Sequence, residues 1–235
     1  MLVTIGTLFE RLCGSRLTYN YVRPGGVSFD TPDDAWIDEV RAFCKAALPR
    51  FNEIDRLFFG NVITKGRTKG VGVLSAEDAI NASVTGPSLR ASGVDFDLRR
   101  DEPYSLYDRF SFNVVVGENG DVFDRARCRL LECYESVRLI QLALDQMEPG
   151  RVKAEAVSRL IAPPVGETYK TLESARGTLG VFLASDGGIR PWRMKVRSPA
   201  FSNLGIVGPL CKGYTISDLI MILGSFDPVF GEVDR

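Results

Sequence analysis

The run 124–147 constrains the fold of this chain more than any other segment. Leu130, Cys133, Tyr134, Val137, Ile140, Leu144 and Met147 recur at three- and four-residue intervals, the spacing of one face of an α-helix. Arg and Glu are expected on the other face, and Pro149-Gly150 ends the run, since neither residue sustains a helix. Such a stripe can serve a partner helix, but core packing within a helical bundle is the commoner use and is the reading taken. A second helix is expected over 31–48. Pro32 suits a first turn, Asp33 and Asp34 complement the positive end of the dipole, and Ile37, Val40, Phe43, Cys44 and Ala47 form its apolar face. Pro49 ends or kinks it, and Phe51, Ile54, Leu57 and Phe58 carry a continuation to about Gly60.

The later part changes character. Ile161-Ala162-Pro163-Pro164 is a rigid breaker. Beyond it the β-prone runs 179–184 and 189–196 flank Asp186-Gly187-Gly188, whose glycines suit a hairpin turn. A last helix leads to the C-terminal tail. The expected class is α+β, with a helical bundle part and its loops over 1–160, and a β-hairpin unit with the C-terminal helix over 161–235.

Composition excludes several functions. At 45% hydrophobic and 25% charged the chain has ordinary globular content. A formal net charge of -1 offers no basic excess for nucleic acid. The most apolar run, 219–226, contains Gly224 and is far shorter than a bilayer span. The glycine-bearing loops 66–72 and 117–120 do not match the phosphate-binding pattern Gly-x-x-x-x-Gly-Lys-Ser/Thr. There is no histidine, and the cysteines at 13, 44, 128, 133 and 211 form no Cys-x-x-Cys. They are read as buried reduced thiols, not as zinc or cluster ligands, so no metal site is expected.

Ordered segments run along the whole chain: Gly14-Ser15-Arg16-Leu17, Tyr21-Val22-Arg23-Pro24-Gly25-Gly26-Val27, and Thr85-Gly86-Pro87-Ser88-Leu89-Arg90-Ala91-Ser92-Gly93-Val94. They continue with Asp101-Glu102-Pro103-Tyr104-Ser105-Leu106-Tyr107-Asp108, Gly117-Glu118-Asn119-Gly120-Asp121-Val122-Phe123-Asp124-Arg125, 180–188 and 195–204, and end with Asp227-Pro228-Val229-Phe230-Gly231-Glu232-Val233-Asp234-Arg235. From about Phe9 onward the chain resembles the hydrogenase-like large subunit of respiratory complex I, the 49 kDa-type subunit. The family is similar to nickel-iron hydrogenase large subunits, which close on Asp-Pro-Cys-x-x-Cys with two metal-binding thiolates. Here Val229 and Glu232 stand in the thiolate positions, which argues against an energy-converting hydrogenase. Because the match begins within the first seventeen residues, that acid-poor stretch is read as structure rather than a targeting signal.

The resemblance implies the C-terminal part of the hydrogenase large-subunit-like fold and a share in a quinone cavity. Asp227 would brace the tail and Val229 offer an apolar wall. Phe230 would be wall or packing, and Glu232 an acid whose burial permits a part in proton movement. Arg16, Thr18 and Arg235 would lie near the terminal iron–sulfur cluster of a neighbouring subunit. Thr18 takes the place of a family histidine, as does Tyr214 in Lys212-Gly213-Tyr214-Thr215; threonine donates a hydrogen bond but does not titrate near neutrality.

No catalytic residue is expected in the chain alone, and no cofactor is expected to be bound by it: NAD, FMN and the clusters belong to partner subunits, with the quinone shared. The family's histidine loop, its quinone-adjacent tyrosine and an aspartate supporting the histidine are implied to reside on a separate chain carrying the N-terminal half. The iron–sulfur subunit and other complex I subunits complete the partners, and membrane association runs through the complex. The expected place is the matrix side of the mitochondrial inner membrane, with the bacterial cytoplasmic face as the alternative. The competing reading is a non-catalytic scaffold or assembly paralogue.

Overall fold

The computed structural model describes residues 2–158 and 160–234. In chain order the elements are α1 (Leu2–Cys13), β1 (Val22–Arg23), β2 (Gly26–Val27), α2 (Asp34–Ile54), a π-helical turn (Asp55–Phe59), α3 (Val62–Thr68), α4 (Ala76–Asn81), α5 (Pro87–Arg90) and α6 (Leu98–Asp101). A 3-10 turn (Tyr107–Arg109), α7 (Val122–Asp145), β3 (Gly166–Ser174), β4 (Gly177–Ser185), β5 (Arg193–Arg197), α8 (Pro199–Leu204), α9 (Val207–Leu210), α10 (Ile216–Ser225) and α11 (Phe230–Val233) follow. Helices with two small antiparallel sheets make this an α+β chain. Two compact units form, residues 1–53 with 136–161, and residues 54–135 with 162–235. They interleave in sequence, with one boundary falling inside α7, whereas the sequence suggested a single linear division at 160/161.

In the first unit Trp36 joins the two leading helices: its indole N–H donates to Leu8 O at 3.0 Å. Asp33 starts α2 by accepting the Trp36 N–H at 2.7 Å, the cap expected of an acid at the positive end of a helix. α2 does not end at Pro49. A proline inside a helix forfeits a hydrogen bond and costs roughly 3 kcal/mol. Ala47 and Phe51 on either side are buried, and burial of one Phe side chain returns about 1.5–3 kcal/mol, so packing carries the helix through. The continuation expected to Gly60 ends in the π turn, where Gly60 N–H reaches Asp55 O at 2.9 Å. The short β1–β2 ribbon pairs Val22 with Val27. Gly26 is required there, because at φ +143° its added Cβ would lie 2.3 Å from Val152 O.

α7 occupies the segment that the apolar stripe marked, but its buried face is different. Leu130 and Val137 are buried, whereas Cys133 is exposed and Ile140 and Met147 are 39% and 45% exposed. Arg125 is fully buried, contrary to the expectation that the charged residues keep to solvent.

The second unit packs around Leu74, Ala79, Val84, Leu89, Val122, Val207, Ile222 and Phe226. Its sheet has the order β3-β4-β5, all antiparallel. β4 and β5 are the expected pair, although β5 begins only at Arg193, and Asp186-Gly187-Gly188 lies in their connection with Gly187 at φ +89°. β3 is an addition: Gly166–Ser174 lacks an apolar run, and it forms because nine successive positions pair with β4.

Candidate functional site

The tail begins where α10 ends. A capping box opens α10: Asp218 N–H donates to Thr215 Oγ1 at 3.3 Å, and Thr215 N–H donates to Asp218 Oδ2 at 3.2 Å. After Ser225 and the buried Phe226, the chain turns at Asp227, a non-glycine residue with φ +50°. Aspartate tolerates this left-handed backbone better than most residues. Arg176 holds it, with Nε donating to Asp227 O at 2.9 Å and Nη2 lying 3.0 Å from Oδ2. Asp227-Pro228 is thus the corner between α10 and α11. Val229 and Phe230 are 37% and 68% exposed. Glu232 is half-buried, and its enclosed Oε2 has no hydrogen-bond partner among the described residues. Arg235 lies outside the described residues.

Two arginines of α7 grip the carbonyl end of α10. Arg125 donates from Nε to Ser225 Oγ at 2.8 Å, from Nη1 to Gly120 O at 2.6 Å and from Nη2 to Gly72 O at 2.9 Å. Its guanidinium also sits 4.7 Å from the Phe226 ring centroid. Burial brings its pKa down to about 10. Arg129 donates to Ser225 O at 2.6 Å and to Ser88 Oγ at 3.2 Å. Burial lowers its pKa as well, against the opposing charge of Asp227. Both cations meet the negative end of the α10 dipole, where positive charge is favoured.

The segment Thr85–Val94 reaches the same corner. Gly86 packs on Gly177 so closely that an added Cβ would lie 2.4 Å from Gly177 Cα, and a Cβ on Gly177 would lie 2.5 Å from Thr85 Oγ1. Asn203 of α8 accepts the Thr85 N–H at 3.0 Å and donates to Arg176 O at 3.2 Å. One node therefore joins the glycine segment, the β3–β4 turn, α8 and, through Arg176, the tail.

Arg90 anchors a second, buried cluster. It lies 2.9 Å from Glu132, 2.9 Å from Glu173 and 3.4 Å from Asp97, and donates to Phe96 O at 3.1 Å. Arg99 pairs with Asp97 at 2.7 Å. Burial pushes the Glu173 carboxyl up, against the pull of Arg90. Burial also opposes the charged form of Asp97, but the Arg99 hydrogen bonds and the Arg90 charge hold it below the usual carboxylate range. Sequence reasoning missed Arg90, Arg125, Arg129 and Arg176. The only signal was the presence of the first two inside ordered motifs, since burial of an arginine depends on acceptors distant in sequence.

Arg16 and Thr18 belong to the first unit, the tail to the second. Arg16 is exposed and paired with Glu10 at 2.7 Å, while Thr18 Oγ1 is 3.5 Å from Ser15 Oγ. An apolar cleft of about 240 Å³ between α1 and α2, around Trp36 and Phe43, includes none of the tail residues. Tyr214 places its hydroxyl 3.5 Å from Gly70 O. Cys44 and Cys128 are buried as expected of thiols, and burial pushes Cys128 up to about 12, but Cys133 is exposed. Among the described residues no three His, Cys, Asp or Glu side chains are grouped to hold a metal ion, and no helix is long and apolar enough to cross a membrane.

Comparison with known proteins identifies the frame. The family model described as "Respiratory-chain NADH dehydrogenase, 49 Kd subunit" matches residues 4–163 and 153–235. The D-type subunit of NADH-quinone oxidoreductase from Clostridium beijerinckii is 46% identical over 228 residues, covering 97% of this chain and 61% of the relative. The proteins of the same name from Desulforamulus reducens and Bacillus mycoides are 46% and 47% identical over 227 residues, covering 97% of this chain and 62% of each relative. The chain thus spans about three fifths of the length of these relatives. With matches along nearly its whole length, this chain belongs to the family of the 49 kDa subunit of respiratory-chain NADH dehydrogenase.

Proposed function

We propose that the chain is the C-terminal part of a hydrogenase-like large subunit of an NADH:quinone oxidoreductase, and that its tail forms one wall of the quinone cavity. The observation that carries this reading is the Asp227-Pro228 corner. Arg176 holds it by backbone and side chain, yet the two positions that would bear thiolates in a hydrogenase are Val229 and Glu232. Loss of soft ligands disfavours a metal, while valine provides an apolar surface and a carboxylate can hold a proton.

In the proposed assembly, flavin and iron–sulfur clusters held by partner subunits would supply the electron transfer from NADH to the quinone, coupled to proton translocation. Val229 and Phe230 exclude water beside the ring. Glu232 holds or releases a proton at its carboxylate, and Arg176 keeps the corner rigid. Arg16 and Thr18 stand near the terminal cluster, held by a neighbouring subunit. The relatives named above are bacterial, which favours the cytoplasmic face of a bacterial membrane over the mitochondrial matrix.

Val229→Trp tests the cavity. In the assembled complex it is expected to lower NADH:quinone reductase activity while NADH oxidation by an artificial upstream acceptor persists. Unchanged quinone reduction removes Val229 from the cavity. Replacement of family histidines by Thr18 and Tyr214 favours one competing reading, a scaffold paralogue. Purified complex that contains this chain but has no quinone reductase activity would support that alternative.

A further inference from the structure

We infer that the free edge of β3 receives, as a fourth strand, an extended segment of another subunit that is apolar at alternate positions and carries a carboxylate against Lys170. The inference rests on the assembly proposed above, because it requires a partner chain.

β3 and β4 pair without interruption from Gly166↔Ser185 to Ser174↔Gly177. In an antiparallel ladder alternate residues turn both N–H and C=O toward the neighbour, and those between turn both away. Tyr104 shows which are which. Its Oη accepts the Glu173 N–H at 3.1 Å and donates to Glu173 O at 3.4 Å, so Glu173 faces away from β4. Its cross-strand partner Thr178 agrees: the N–H donates to Thr85 Oγ1 at 3.1 Å and the carbonyl accepts from Arg197. The same parity turns Glu167, Tyr169 and Thr171 outward. No hydrogen bond from the described residues reaches their backbone groups. Tyr104 closes the edge at Glu173 and leaves 167–171 open.

Long, straight, uncovered edges invite pairing, and proteins normally blunt them against self-association with charged side chains, lysine above all, or with proline, bulges or shortness. β3 has nine residues, no proline and no bulge. Its two faces also differ. Glu173 and Arg197, on one face, reach Arg90 and Ser83 in the body of the unit. The register puts Leu172, Leu179, Val181, Leu183, Met194 and Val196 on the other face. None of these six is fully buried, and Leu172 and Met194 are 40% and 60% exposed. An added strand extends this apolar face, the combination used in recognition by strand addition. Lys170 is the only charged residue of the three strands on that face and selects a carboxylate opposite it. Two copies paired through β3 would instead bring Lys170 side chains together on one face, a disfavoured like-charge arrangement.

The test uses the complex purified with this chain in it. Hydrogen exchange is expected to find the amides of Glu167, Tyr169 and Thr171 as protected as those of Thr168, Lys170 and Leu172, which face β4. A zero-length amine–carboxyl cross-linker is expected to join Lys170 to an acidic residue of another subunit. Thr171→Pro removes only an outward donor, which edge strands tolerate, and should lower incorporation into the complex by roughly tenfold, about 1.4 kcal/mol. Should that variant fail to fold, Lys170→Glu leaves the backbone intact and should lower incorporation in the same direction. Fast exchange at 167, 169 and 171 beside slow exchange at 168, 170 and 172 overturns the inference. So does a Lys170 cross-link to a second copy of this chain. A wild-type chain absent from the complex would instead refute the underlying assembly, so the two failures are distinct.

Discussion

Arg90→Met should destabilise the chain by roughly 3 kcal/mol at neutral pH, within the range for removing one partner of a buried ion pair. The magnitude follows from what each carboxylate has left. Glu132, 18% exposed, can regain water, and Asp97 keeps Arg99 at 2.7 Å. Glu173, with a side chain only 4% exposed, loses its 2.9 Å partner and carries most of the penalty. The pH dependence has a definite sign. Burial already raises Glu173 from 4.5, and loss of Arg90 raises it further. A carboxyl with a raised folded pKa binds more protons folded than unfolded, so its contribution to stability declines as pH rises from the ordinary Glu range through the raised value. The variant's deficit should therefore be larger at about pH 7.5 than at about pH 5.5. Adding Glu173→Gln should recover most of it. Pulse proteolysis along a urea series, read on this chain's own band, measures both effects. A deficit independent of pH, or no recovery in the double variant, would refute the assignment of the penalty to Glu173.

At the tail, Asp227→Asn should cost less than about 1 kcal/mol, because the Arg176–Asp227 ion pair is 30% and 48% exposed and screened. Arg176→Met should cost more, since it also removes the donor to Asp227 O; equal urea midpoints for the two variants would contradict this ordering. In the assembly proposed above Thr18 stands beside the terminal cluster and does not titrate near neutrality, so that cluster's potential should stay nearly flat between about pH 6 and 8. Thr18→His should introduce a slope in redox titrations, and a steep slope in the unmodified protein would assign the proton elsewhere. Without partners the chain should self-associate, because Val62 and Ile63 of α3 and Ile216 of α10 are 83%, 75% and 83% exposed. A monodisperse monomer with a cooperative melt would count against a subunit role.

The helical periodicity of α7 and the acids at the start of α2 were legible because both depend on neighbours within one or two helical turns. The Asp227-Pro228 corner was legible as a motif, but its anchor was not: Arg176 lies on a distant turn and is recruited only when β3 and β4 pair. Pro49 left two outcomes open, an end or a kinked continuation, and the structure takes the continuation. Local chemistry breaks a helix there, and the burial of Ala47 and Phe51 outweighs that preference.

β3 marks the same boundary. Gly-Glu-Thr-Tyr-Lys-Thr-Leu-Glu-Ser has no strong strand signal of its own, and it becomes a strand because β4 offers nine pairing positions. By itself, the sequence determined the family and the α+β class, because these are written in residue identity and local spacing. Only the tertiary structure decided that Arg90, Arg125 and Arg129 turn inward and that β3 leaves an edge open. A buried guanidinium and an unpaired strand edge are each defined by groups far away in the chain, whose approach no local pattern encodes.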